Sequence, residues 1–152
     1  MKQQIPYAKT SETIIGYSDS DIAKNESNDC VVRSFASAFD MSYDEAHKLA
    51  SEKFGRKNRK GVALFTMKMG GMIDRGETIN NKKFEKLPLD GLKMLSKSSN
   101  LTFNQFFKKH KEGVYLIVVR GHAFTLKDGI VIGNSSDATR LRARINTVYK
   151  VS

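Results

Sequence analysis

The chain has 152 residues, a single cysteine, three histidines and a formal net charge of +10. That length suits one domain spanning 1–152 with a core of its own, and one cysteine excludes an internal disulfide framework. With so few sulfur and imidazole ligands a structural zinc site is not expected. No apolar run approaches the roughly 20 residues of a bilayer span, and Met1 to Pro6 lacks the apolar core of a signal peptide, so a soluble cytoplasmic protein without membrane contact is expected.

Residues 1–27 are polar apart from Ile14 and Ile15 and read as an extended lead-in. Asn28 and Asp29 then offer N-cap chemistry, and Cys30 to Phe39 is apolar without Gly or Pro, which predicts a buried helix opening at the cysteine. A thiol in the first helical turn meets the positive end of the macrodipole and unsatisfied N–H groups, and both favour the thiolate. The competing expectation is inert packing, because a free cysteine is usually a small buried hydrophobe.

Ser42-Tyr43-Asp44-Glu45 has capping-box spacing and predicts a second helix that stops at Gly55, with His47 as a surface or boundary residue. The basic loop Gly55 to Gly61 is expected to be a mobile rim. Val62 to Met72 has a helical period broken at Gly70-Gly71; Lys83 to Leu87 suggests a short strand, and Pro88, Asp90 and Gly91 a turn. A second capping box, Thr102 to Gln105, opens a helix carrying Phe103, Phe106 and Phe107, with His110 at its cationic end.

Val114 to Val119 reads as a buried central strand. Gly121 to Leu126 follows it, Lys127-Asp128-Gly129 supplies turn chemistry, Ile130 to Ile132 returns antiparallel, and Ile145 to Val151 makes a last strand. Helices followed by an antiparallel sheet define an α+β domain. At the open end of the hairpin, Asn134 is expected near His122, where its amide oxygen accepts the imidazole N–H and fixes the tautomer; the other ring nitrogen then faces Cys30.

Asp29-Cys30 at a helix start, Gly121-His122-Ala123 on a strand and Asn134 on the next resemble the papain-like cysteine peptidase superfamily. The chain is nearest in size and motif style to its small bacterial and phage members and to the C39-type peptidases. The resemblance covers the Cys30 helix and the terminal sheet. It implies a papain-like fold, Cys30 as nucleophile, His122 as general base and acid, and Asn134 as orienter, with Asp137 as the alternative third member. It also implies oxyanion donors shortly before the cysteine. No Gln stands there, so Asn25 or Asn28 is expected to act together with the Cys30 N–H.

The expected activity is a cysteine-dependent peptidase, isopeptidase or amidase working through a thioester, without cofactor or metal, in a bacterial or phage-infected cell. The basic clusters at Lys53 to Lys60, Lys82 to Lys86, Lys108 to Lys111 and Arg140 to Arg144 point to an acidic peptide or protein substrate. The alternative is an inactive papain-like binding module whose basic surface holds nucleic acid or an acidic host protein, and a purely structural phage protein is a third reading.

Overall fold

The computed structural model describes residues 5–89, 101–134 and 136–152. Within them the chain is a mixed α+β structure built around a six-stranded sheet. In chain order come β1 (Tyr7–Lys9), α1 (Thr10–Thr13), α2 (Asp21–Lys24), α3 (Cys30–Ala38), α4 (Tyr43–Phe54), α5 (Phe65–Asp74), β2 (Phe84–Lys86), α6 (Phe103–Lys109), β3 (Val114–Val119), β4 (His122–Lys127), β5 (Ile130–Gly133), a 3-10 turn (Asp137–Thr139) and β6 (Ile145–Val151). No helix among the described residues is long and apolar enough to cross a membrane.

The strand order is β1-β5-β4-β3-β6-β2. β3 is central and pairs antiparallel with β4 and β6, while β1 joins β5 in parallel. The sheet is therefore mixed, where the sequence predicted an antiparallel one. The lead-in is not simply extended either, because Tyr7 to Lys9 pairs with Val131 to Gly133 and two single helical turns follow.

The near-continuous apolar run of β3 is explained by burial on both faces. Leu116 packs with the aromatic side chains of α3, α4 and α5, whereas Tyr115, Ile117 and Val119 pack with Phe103 and Phe106 of α6. Helices thus cover both sides of the sheet. Phe35 of α3 is fully buried and sits 5.0 Å from the ring of Phe54 and 5.8 Å from that of Phe65, so α3 is held where α4, α5 and the sheet converge.

Local signals explain most element ends. Ser42 accepts from the Glu45 N–H and Glu45 returns the bond, and Thr102 with Gln105 does the same for α6. Gly55 closes α4 in the left-handed region at φ 65°. α5 differs: it begins three residues later than its apolar period suggests and runs through Gly70-Gly71 to Asp74. Glycine lowers helix propensity by only about 1 kcal/mol, and the buried Met69 and Met72 flanking the pair supply packing on that scale. The turn expected at Pro88, Asp90 and Gly91 lies partly outside the described residues.

Candidate active site

Cys30 is the first residue of α3. Asp29 occupies the N-cap position, but its side chain does not cap the helix. Instead Asp29 Oδ2 accepts from the Tyr43 hydroxyl at 2.7 Å, and Oδ1 lies 3.2 Å from Arg33 Nε. The amides of the first turn have no partner within the helix, and no side-chain cap takes one up, so the helix end around Cys30 keeps donors for another group.

His122 opens β4 just after Gly121, whose φ of 70° makes the tight reversal between β3 and β4. The ring meets two groups. Nε2 lies 2.8 Å from Asp137 Oδ1, and the ring stands close enough to the Cys30 thiol for each to shift the other's proton affinity. Thiol, imidazole and carboxylate line one cleft of about 410 Å3 together with Asn28, Arg33 and Asn134. A second recess of about 310 Å3 meets Cys30 and His122 from the other side and is lined by Val62, Phe65, Val118 and Val119.

The charges of this trio reinforce each other. Burial pushes the Cys30 thiol up, but the hydrogen bond and charge of His122, aided by the Ala123 amide, outweigh it and hold the thiol below its ordinary value. The bond to Asp137, followed by that to Cys30, pushes His122 up to about 9 against the effect of burial. Burial likewise works to raise Asp137, while His122, the Asn134 amide and Arg140 bring it down. Both shifts favour the thiolate beside an imidazolium, itself beside a carboxylate.

The third group is Asp137, not Asn134. Asn134 is exposed and its amide oxygen lies 3.4 Å from Arg33 Nη1, while its backbone N–H donates to Asp137 Oδ2 at 2.8 Å. The reason lies in the register of β4 on β5. Thr125 pairs with Ile132, and continuing that register sets Asn134 opposite Ala123, on the other face from His122. The chain then turns, and the 3-10 segment brings back a carboxylate that is 1 % exposed and serves the Asn134 amide, His122 and Arg140 at once.

Gly133 is part of this arrangement. A methyl group built on it would stand 2.3 Å from Asp137 Oδ2, so no side chain fits while the carboxylate stays in place. Gly133→Ala is therefore expected to displace Asp137 and lower Cys30 reactivity at pH 6 by about tenfold or more, as an iodoacetamide labelling rate would show, without altering any ionisable group.

Of the two expected oxyanion donors, only Asn28 is in the cleft. Asn25 ends α2; its Nδ2 donates to the Asp21 carbonyl, and it faces a separate depression beside Glu26 and His47. The distance in sequence to the cysteine carried no information about which way the turn at 25–29 points each side chain. Asn28 Nδ2 donates to the Arg59 carbonyl at 3.0 Å, which uses one of its two N–H bonds.

The basic loop also differs from the expected mobile rim. Arg56 is 6 % exposed, and its guanidinium meets Glu26 Oε2 and the Ser27 carbonyl; Glu26 Oε1 accepts the Arg59 N–H at 2.7 Å and His47 Nε2 lies 2.7 Å from Oε2. Burial works to raise the Glu26 carboxyl, but Arg56, the Arg59 amide and His47 overcome it and bring it to about 2. Nothing in the spacing of Glu26, His47, Arg56 and Arg59 along the sequence announces this cluster.

No three His, Cys, Asp or Glu side chains are grouped as a metal ion needs among the described residues. The site brings together a cysteine at a helix start, a histidine at the head of a strand and a buried carboxylate. No family model matches the chain, and no curated protein or solved structure matches it either.

Proposed function

We propose that the chain is a papain-like cysteine hydrolase that cleaves peptide, isopeptide or other amide bonds. The observation that carries this reading is that Cys30, His122 and Asp137 line one open cleft, with His122 bonded to Asp137 at 2.8 Å. The Cys30 thiolate attacks the carbonyl carbon, and the electron pair displaced onto oxygen is met by the Cys30 N–H and the second N–H of the Asn28 carboxamide. His122 gives its proton to the departing amine, leaving a thioester. His122 then takes a proton from water, which attacks the thioester and releases the acid and the thiolate. Asp137 holds the ring and stabilises its protonated form. The net charge of +10 favours an acidic peptide or protein as substrate.

Iodoacetamide labelling separates this reading from an inert thiol. At pH 6 an ordinary thiol is well under about 1 % ionised, so fast labelling of the wild type, slowed about tenfold or more by His122→Ala, is expected. Equal and slow labelling of both proteins would sink the proposal. Amide turnover adds a second limb. As pH rises through about 9, His122 loses the proton that the leaving amine needs, so turnover falls there while labelling does not.

A further inference from the structure

We propose that Glu26 is a positioning residue for acyl transfer, holding the turn at 56–60 so that the Asn28 carboxamide is presented to the cleft as an oxyanion donor. This rests on the hydrolase reading above. Asn28 is exposed and stands in the left-handed region at φ 51°, two residues before the nucleophile. A carboxamide so placed is free to rotate unless something holds it, and what holds it is the Arg59 carbonyl.

Arg59 is itself in the left-handed region, at φ 65°, an arrangement that is unfavourable for a residue with a side chain and persists only where the surroundings enforce it. The enforcing bonds come from the approach to Cys30. Glu26 Oε1 takes the Arg59 N–H, Glu26 Oε2 takes Arg56 Nη1, Arg56 Nη2 reaches the Ser27 carbonyl, and Arg59 Nε reaches the Asn25 carbonyl. Glu26 and Arg56 side chains are each 2 % exposed. A buried carboxylate thus fixes a strained backbone whose carbonyl fixes Asn28. The Asn28 carboxamide has two N–H bonds; with one spent on Arg59, the other remains for the cleft that Asn28 and Cys30 both line, and a donor pre-aimed at the developing charge is what lowers the barrier.

Two reactions of one sulfur separate this relay from general upkeep of the fold. In alkylation by iodoacetamide the thiolate forms an S–C bond as iodide leaves with its electron pair, and no oxyanion arises. With p-nitrophenyl acetate the thiolate adds to the carbonyl, charge collects on oxygen, and collapse expels p-nitrophenolate and leaves an acetyl thioester. Both rates are measured per titrated Cys30 thiol. Asn28→Ala is expected to slow acylation by about tenfold to a hundredfold with alkylation within about twofold. Glu26→Gln is expected to do the same in direction, and adding Asn28→Ala to it should cost little more, because the two act as a unit. Arg56→Lys keeps the charge and severs only part of the fork, so it serves as the variant least able to unfold the chain; it too should slow acylation alone. Lys57→Ala, in the same turn and exposed, should change neither rate.

Acylation unchanged in Glu26→Gln and Arg56→Lys, or both rates falling together, would overturn the relay. Slow alkylation of the wild type at pH 6 would instead overturn the hydrolase reading on which it rests.

Discussion

Asp137→Asn is expected to lower amide or ester turnover by about 10²–10⁴-fold, the scale on which a triad loses its orienting carboxylate, whereas Asn134→Ala should stay within about threefold. The asparagine side chain presents either an N–H to His122 Nε2, which forces the wrong tautomer, or a neutral oxygen that stabilises the imidazolium far less. His122 then falls from about 9 toward its ordinary 6.5, and the alkaline limb of turnover moves down with it. The assignment of the third group fails if Asn134→Ala is the variant that loses activity.

The same pair sets a pH window for stability. His122 is raised on folding, so its contribution is complete below about 6.5 and is lost as pH rises through about 9. Asp137 is depressed, so its contribution is present above its ordinary 3.8 and is lost as pH falls below that value. Thermal melts across this range check both signs.

Glu26→Ala is expected to be among the most destabilising single changes, costing about 3–5 kcal/mol in a denaturant melt, because it leaves Arg56 charged and buried without its counter-charge. The cost is not the worth of the ion pair itself, since burying both charges was already expensive. Replacing Glu26 and Arg56 together by apolar residues of similar volume should therefore recover most of the loss. Acid acts in the same direction: the contribution of Glu26 is complete above its ordinary 4.5 and disappears as pH falls toward about 2. A double variant as unstable as Glu26→Ala would show that the backbone bonds to Arg59, and not the stranded guanidinium, carry the effect.

Periodicity and capping made several elements readable from residues alone. Ser42 with Glu45, Thr102 with Gln105, Gly55, and the Asp128-Gly129 turn each encode a local conformation through chemistry within four residues, and all occur where that chemistry predicts. α3 also starts at Cys30 and His122 heads a strand, as the residue pattern predicts, although the Asp29 side chain is taken by Tyr43 and Arg33 and does not cap the helix. Long-range partners had no such signal. β1 joins β5 across more than a hundred residues, and nothing in Tyr7 to Lys9 announces a parallel partner. The choice of Asp137 over Asn134 was half legible, since a two-residue turn already implies the register that sends Asn134 to the wrong face; that a 3-10 turn returns Asp137 to the ring was not.

By itself the sequence determined where the single cysteine stands on its helix, which histidine heads a strand, and that helices precede most of the sheet, because those features depend on neighbours within a turn or a hairpin. Only the tertiary structure decided that thiol and imidazole meet, that Asp29 serves Tyr43 and Arg33 while Asp137 serves His122, and that a basic loop is pinned on Glu26. Charge and hydrogen-bond chemistry depend on distances in space, and chain folding sets those through packing around Phe35 and β3 that no local pattern specifies.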